Sequence, residues 1–513
     1  MALITLSNGG QVECQPGETL LQALERSPWA LHQACAGQGN CGLCRVKTQS
    51  QQPLDPLETA TLGPHLLAQG FRLACRLRPQ TDLSVQLGVL RPTSTWAPLS
   101  LPPQPVPPGE GVGAVLDLGT SNLTLGLWGF TQQRLLGAAT CPNPQGRWGR
   151  DVLSRLAHAA GSPQAAEAMQ QAVVGQVAKG LHSLLEQSGT PAELTGMLVV
   201  GNSVMISLLS RCNQEQLLDP HTWETRLTWP AQGDWQAAWG LAERAHLLLL
   251  PPLAGFVGSD LAAGLWASGI LQQKTPALWI DFGTNSEVAL WDGNKLWITS
   301  APGGPAFEGI GMRYGMGAIP GAVVRLNLKP DGTWEAQGLG PGPWLGFCGA
   351  AYVDLFAQLL QIGLLQPNGR LAPGGDPYLL QAGAEEFLIS SKEVDLFQQA
   401  KAATATGVEL LCSRAGLGLH DLGQVVISGA FGQGLNLPRA IALGLLPRLP
   451  VSRMWQMPHA PLLGGMQLLA SPGARMQLAQ TLAQAAVLNL SLQPEFGDLF
   501  FRHLYLRPFD QAN

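Results

Sequence analysis

The stretch Ala114-Val-Leu-Asp117-Leu-Gly119-Thr120-Ser121-Asn122 decides the fold, because it returns as Leu278-Trp-Ile-Asp281-Phe-Gly283-Thr284-Asn285-Ser286. In each copy an apolar run leads into Asp-x-Gly-Thr, and a second apolar run follows, Leu123 to Trp128 and Val288 to Trp291. That reads as strand, tight turn, strand, twice over. The copies lie too far apart for a solenoid repeat and suit two related half-domains. Such a turn presents backbone N–H groups and a hydroxyl together, donors that suit phosphate oxygens. Its Asp suits a hydrated Mg2+, which takes one or two carboxylates and keeps several waters. A single Asp-x-Gly is ordinary turn chemistry; two in matching strand contexts carry far more weight.

Outward from this pair, the chain from Gly111 alternates short apolar runs with Gly-rich turns and helical stretches, as an α/β domain does. Val425-Val-Ile-Ser428-Gly429-Ala430-Phe431-Gly432 reads as a buried strand running into a Gly-rich turn. Upstream, Arg91 to Glu110 holds seven prolines and reads as a semi-rigid spacer of about 3.1 Å per residue. The expected organisation is a cysteine-bearing domain over 1–90, a linker over 91–110 and a nucleotide-binding domain over 111–513. The last divides into halves of about 111–275 and 276–475 plus a C-terminal extension. Arg475 to Asn513 carries no chemical signal.

The first 90 residues contain Cys35-Ala-Gly-Gln-Gly-Asn-Cys41-Gly-Leu-Cys44, with Cys75 about thirty residues further on. Three thiolates on a Gly-rich loop plus one distant thiolate can encircle a [2Fe–2S] cluster. Gly37, Gly39 and Gly42 let backbone N–H groups turn toward the sulfurs. Two other uses compete. Zinc sites usually pair two short Cys-x2–4-Cys elements, and Cys75 has no near partner. A thioredoxin-like Cys41-x2-Cys44 dithiol leaves Cys35 unexplained. Cys14, Cys141, Cys212, Cys348 and Cys412 are scattered and read as small buried hydrophobes.

Composition narrows the class. The 513 residues allow about two to four domains. Only 13% are charged, yet 62 Gly and 39 Pro break up the apolar runs, and mean hydropathy is only +0.11. No run approaches the roughly 20 apolar residues of a membrane span, and the N-terminus shows no secretory pattern. A net charge of −5 gives no basic footprint for nucleic acid. Nine cysteines without an export signal favour a reducing, cytoplasmic setting. The expectation is a cytoplasmic protein without membrane or nucleic-acid partners; the sequence leaves a homodimer open.

These motifs resemble known families. The cysteine loop, with Gly39-Asn-Cys41-Gly-Leu-Cys44-Arg45-Val46 and short strands at Ala2–Leu6, Val12–Cys14 and Arg45–Thr48, resembles the β-grasp ferredoxins. It is the wider-loop variant of their C-x4-C-x2-C spacing. The Asp-x-Gly-Thr turns and the Gly429 turn resemble, in order, the phosphate-1, phosphate-2 and adenosine motifs of the actin/hexokinase/Hsp70 ATPases. The fold class so implied is multidomain α/β and α+β: an N-terminal β-grasp [2Fe–2S] ferredoxin and a C-terminal, ribonuclease-H-like duplicated ATPase domain.

Further phrases are Arg150-Asp-Val-Leu-Ser-Arg155, Val199-Val-Gly-Asn202-Ser-Val-Met205 and Ala254-Gly-Phe-Val-Gly258-Ser-Asp260. Pro302-Gly-Gly-Pro-Ala-Phe-Glu308-Gly309 and Phe347-Cys-Gly349 complete the set. With the ferredoxin in front, it resembles the reductive activators of corrinoid-dependent enzymes across nearly the whole chain. Better-known members carry an extra domain where this chain has only the Pro-rich stretch. The resemblance implies cluster ligands Cys35, Cys41, Cys44 and Cys75, and ATP with Mg2+ as the second cofactor. Gly119, Thr120, Ser121, Asn122, Gly283, Thr284 and Asn285 would surround the phosphates. Asp117 and Asp281 would hold Mg2+ or orient the attacking water, and Gly429, Ala430 and Gly432 would lie against the nucleoside.

The implied activity is ATP-dependent transfer of one electron from the cluster to the cob(II)alamin of a corrinoid protein or cobalamin-dependent methyltransferase. An upstream electron donor would recharge the cluster. A competing reading is a nucleotide-dependent redox sensor or electron-transfer module acting on another low-potential metalloprotein. A small-molecule kinase would need a catalytic carboxylate, for which only Asp260 and Glu308 stand in motifs.

Overall fold

The computed structural model describes the chain except residues 32, 34, 36, 91–94, 150, 190–193, 231–234, 236, 242–244, 284, 310, 341, 342 and 511–513, and the side chains of 304 and 305. It divides into two units. One comprises Met1–Pro92, Pro305–Ala400 and Tyr505–Arg507; the other comprises Thr93–Gly304, Lys401–Leu504 and Pro508–Asn513.

In the first unit, residues 1–90 form a five-stranded mixed sheet in the order Gln11–Cys14, Ala2–Leu6, Leu83–Gln86, Arg45–Thr48, Phe71–Leu73. The first and last segments of this domain meet as a parallel pair, Ile4 against Leu83. Alternation in Ala-Leu-Ile-Thr-Leu buries Ala2, Ile4 and Leu6 on one face, as a half-buried strand requires. The helix Leu20–Glu25 packs by the strand Gln11–Cys14 and is started by a capping box in which Thr19 and Gln22 satisfy each other's backbone N–H groups. This is the β-grasp arrangement. Residues 305–400 of the same unit add a three-stranded sheet, the hairpin Tyr378–Ala382/Glu385–Ile389 and the helix Gly349–Gln361.

The second unit shows the duplication directly. Its two six-stranded sheets repeat one plan. Val112–Leu118 pairs antiparallel with Asn122–Gly129, as Ala277–Phe282 does with Ser286–Trp291. A third antiparallel strand follows in each, Arg134–Pro142 and Leu296–Ala301. On the other flank each first strand pairs in parallel with a later one, Leu194–Gly201 and Gln424–Ser428. Near-continuous apolar runs suit these strands because both faces are covered. One core gathers Leu116, Leu125, Met169, Val173 and Leu208; another joins both sheets through Val115, Leu261, Trp279 and Met466. Helices Ser259–Ser268 and Ala460–Ala470 cross closely, since a Cβ on Gly464 would lie 1.8 Å from the Ala263 carbonyl oxygen.

Within the stretch read as a semi-rigid spacer, part of the chain is docked on the second unit. Ala97–Pro98 forms an edge strand on Arg134–Pro142, and the Leu99 N–H donates to the Ala138 carbonyl at 2.8 Å. The Trp96 indole donates to the Gln176 carbonyl at 2.9 Å, above Gly180, where any side chain would collide with the ring. Val106 is buried with Trp128 and Phe130. Proline lacks a ladder donor but is tolerated on an edge, so this composition is compatible with a docked strand. Residues 91–94 of the expected linker lie outside the described residues. Among the described residues no helix is long and apolar enough to cross a membrane.

Candidate functional site

The cysteine loop is built by glycines. Gly37, Gly39 and Gly42 have φ of 83°, 88° and 70°, a region that favours glycine. The Cys35 sulfur meets Cys41 and accepts from the backbone N–H groups of Cys41, Asn40 and Gly39. These contacts, Cys41 foremost, pull it down to about 5 against opposing burial. Cys44 lies against Cys75, which with burial pushes its thiol well up. Cys41, Cys44 and Cys75 are buried, and Cys35 is half-buried.

Supports come from neighbouring side chains. The Thr61 hydroxyl donates to the Gly39 carbonyl at 2.8 Å, and the Ala74 N–H to the Cys44 carbonyl at 3.0 Å. Two residues before Cys75, the Leu73 N–H donates to Glu58 Oε1 at 2.6 Å. Fully buried Glu58 also takes two 2.9 Å bonds from the Arg72 guanidinium.

Among the described residues no three Cys, His, Asp or Glu converge as ligands of a single ion. The pairs Cys35 with Cys41 and Cys44 with Cys75 would suit two irons sharing four thiolates, and the buried sulfurs with inward N–H groups suit that anionic group.

The second constellation lies where the two sheets present their Asp-x-Gly-Thr turns. Asp117 sits near the end of its strand, paired with Thr124 and Val200. The turn is tight, since a Cβ on Gly119 would lie 2.6 Å from the Asn122 carbonyl oxygen. Asn143 donates from its side chain to the Gly119 carbonyl at 2.8 Å. Asn202, whose side chain caps the helix Ser203–Ser210, donates to the Thr120 hydroxyl at 2.9 Å. Ser121 and Asn122 are exposed at the turn.

In the second copy, Asp281 pairs with Glu287 across the hairpin and with Ser428 in the parallel strand, and the Ser428 side chain hydrogen-bonds it. The Gly283 N–H donates to the Asn285 carbonyl at 3.1 Å; Thr284 lies outside the described residues. Gly429 opens the short helix Gly429–Gly434, which contains Ala430 and Gly432. Its φ is 82°, and a Cβ there would lie 2.3 Å from the Phe282 carbonyl oxygen and 2.8 Å from Asp281 Oδ1. Only glycine fits.

The site holds more carboxylates than the two turn aspartates. Asp260 lies in the first turn of the helix Ser259–Ser268. The preceding Gly258 is so close to Asn202 and the Gly201 carbonyl that a side chain there would collide with them. Burial, then repulsion from Asp281, pushes Asp260 up to about 7. Burial pushes Asp281 up to about 6, with the Ser428 bond pulling the other way. Asp117 and Glu287 are raised well above the carboxylate range, first by burial and then by Asp260 and Asp281. The three aspartates keep some accessible surface, but protein surrounds each enough for desolvation to dominate. Desolvation and mutual repulsion thus hold four neighbouring carboxyl groups above their usual range. Sequence reasoning misses Glu287 and Ser428 as site residues and gives Asp260 a role only in a kinase. Glu287 is visible in the sequence as one acidic residue inside the apolar strand Ser286–Trp291.

Fold and sites together define an iron–sulfur ferredoxin joined to a duplicated domain of the actin/hexokinase/Hsp70 class. Residues 4–80 match the 2Fe-2S iron-sulfur cluster binding domain, 112–273 the RACo middle region, and 275–512 the C-terminal domain of RACo, the ASKHA domain. The two RACo models together span most of the chain, which belongs to the RACo family.

The corrinoid activation enzyme RamQ of Eubacterium limosum is 28% identical over 362 residues, 66% of this chain and 60% of RamQ. The [Co(II) methylated amine-specific corrinoid protein] reductase of Methanosarcina barkeri is 29% identical over 230 residues, 39% of this chain and 40% of the reductase. The chain thus aligns with less than two thirds of either relative's length. A solved reductive activator for corrinoid, iron-sulfur protein shares the fold, with a TM-score of 0.67 and 22% identity over 99% of this chain and 98% of that one.

Proposed function

We propose that this chain is an ATP-dependent reductive activator, passing one electron from a [2Fe–2S] cluster to the Co(II) form of a corrinoid protein. The observation that carries the reading is the convergence of the two turn aspartates, Asp117 lying close enough to Asp281 to be raised by its charge, on a chain that also holds two paired cysteine couples. A bound cluster supplies single electrons at low potential, about −400 mV for this ferredoxin type.

The residues divide the work. Cys35 with Cys41, and Cys44 with Cys75, would hold the two irons, and the N–H groups of Gly39, Asn40 and Cys41 would steady the charge on Cys35. Asp117 and Asp281 would receive Mg2+ arriving with ATP, one or two carboxylates being the number Mg2+ takes beside water and phosphate. Gly119, Thr120, Ser121 and Asn122 in one turn, and Gly283, Thr284 and Asn285 in the other, would present N–H groups and hydroxyls to the phosphates. Gly429, Ala430 and Gly432 would let backbone approach the nucleoside. Binding free energy that differs between two states of the complex can drive an otherwise uphill electron transfer.

The test is anaerobic. Reduced, cluster-loaded protein is mixed with MgATP and candidate Co(II) corrinoid proteins, and the cobalt absorption is followed. Conversion to Co(I) that requires MgATP is expected. A fully loaded protein that reduces none of a panel of corrinoid proteins would sink the proposal. Corrinoid-stimulated release of phosphate separates an activator from a redox sensor that binds nucleotide without partner-dependent turnover.

A further inference from the structure

The residue after the third cysteine does something the cluster itself does not need. Arg45 is buried, with its side chain turned to residues 305–400 of its unit. Its guanidinium donates to the Arg313 carbonyl at 2.7 Å and to the Leu345 carbonyl, and it lies 5.6 Å from the centre of the Tyr314 ring. A planar fork with fixed donors suits such a clamp, and lysine would not reproduce it. Beside it, Cys41, Leu43 and Val89 are buried in one cluster with Met316 and Ala322, edged by Ile319 and Leu345. At a third point Gly63, with φ of 69°, lies so close to the Arg313 guanidinium that an added Cβ would be 2.9 Å away. One contact is charged, one apolar and one steric, and all join the cysteine-bearing domain to 305–400.

The contact covers the side of the loop that carries Cys41. We propose that residues 305–400 are an internal dock for the ferredoxin, pinned by Arg45 and closed over the Cys41 side of the loop. A protein-sized electron acceptor would reach that side only when the dock opens. The shielding part rests on the reading that the four cysteines hold a [2Fe–2S] cluster; the dock itself does not. If only the open fraction reacts, the observed rate scales with that fraction.

The experiment uses the full chain, reduced with dithionite and desalted anaerobically, in wild type, Met316→Asp and Arg45→Ala. Met316→Asp changes no residue of the cysteine loop itself, and Arg45→Ala breaks the dock from the other side. Reoxidation is followed with ferricyanide, a small acceptor, and with cytochrome c, a protein-sized one; each takes one electron and no proton from the cluster. The expected result is about a tenfold or greater rise in the cytochrome c rate for both variants, with the ferricyanide rate changed less than about twofold. Hydrogen exchange reads the dock without the cluster: amides at 41–46 in Met316→Asp, and at 313–316 and 345–347 in Arg45→Ala, are expected to exchange faster. Unchanged exchange in both variants would overturn the dock. Faster exchange with an unchanged cytochrome c rate would overturn the shielding. A protein without visible absorption from a cluster would instead point to a failure of the cluster reading.

Discussion

Asp281 and Glu287 stand directly opposite each other across the hairpin that joins Ala277–Phe282 to Ser286–Trp291. Like charges in opposed positions destabilise a strand pair, and Asp260 adds its charge to both the Glu287 and Asp281 neighbourhood. The protein keeps this opposed pair beside its second Asp-x-Gly-Thr turn, where it works against the hairpin's own stability.

The raised carboxylates set a pH dependence. Asp281 near 6 and Asp260 near 7 bind protons more tightly in the folded chain than in the unfolded one. Their contribution to stability is therefore full below about pH 4, the unfolded value, and is lost as pH rises through 6 to 7. The nucleotide-free protein should melt at a lower temperature at pH 8 than at pH 5.5, and Asp260→Asn should flatten that slope. MgATP should raise the melting temperature more at pH 8 than at pH 5.5. Thermal melts across pH, with and without MgATP, check all three.

Glu287→Gln should separate binding from turnover. The amide keeps the size but abolishes ionisation and removes one source of repulsion. Nucleotide affinity should hold or rise, while partner-stimulated phosphate release falls by about 10²-fold if Glu287 handles a proton. Titration calorimetry and a phosphate-release assay give the two numbers.

Gly429→Ala places a methyl group against the Phe282 carbonyl and Asp281 Oδ1 in a left-handed backbone. The strain should cost about 1–3 kcal/mol and weaken nucleotide binding at least about tenfold. Gly497→Ala, at a position where a Cβ would touch nothing, is the control in the same melts and titrations.

Glu58→Ala leaves the buried Arg72 guanidinium without its carboxylate and frees the Leu73 N–H beside Cys75. Breaking such a buried pair costs about 3–5 kcal/mol. The variant should lose iron on dilution or mild heating, whereas Cys14→Ser should keep its cluster; iron assay and visible absorption distinguish them.

Trp96→Ala should destabilise the second unit by roughly 1–3 kcal/mol, the usual scale for losing such packing, because its ring and indole N–H hold the edge strand to the helix Pro163–Ser188. A free spacer would tolerate the change. Denaturant unfolding followed by fluorescence reads the difference.

The two Asp-x-Gly-Thr strands were legible because apolar period, turn chemistry and repetition agreed. The cysteine loop's turns were legible because Gly37, Gly39 and Gly42 stand where the backbone takes a left-handed φ. Other features were hidden for physical reasons. Ala97–Pro98 reads as a spacer because proline signals extended chain, and extended chain is also what a docked edge strand is. The grouping of 305–400 with residues 1–92 rests on contacts such as Arg45 with the Leu345 carbonyl, which no local pattern encodes. Glu287 sits in a run whose other members are mostly apolar, so its burial beside Asp281 appears only once the hairpin register is known.

That register also breaks the symmetry of the duplication. The residue alongside Asp117 in the parallel neighbour is Val200, and alongside Asp281 it is Ser428. Asp281 has a hydroxyl neighbour whose hydrogen bond pulls its carboxyl down against burial, whereas Asp117 is raised by burial and by Asp260 and Asp281 with no such bond opposing it. If the proposed Mg2+ binds between the two aspartates, the two halves should release unequal numbers of protons as it enters, and the total can be counted by calorimetry in buffers of different ionisation enthalpy.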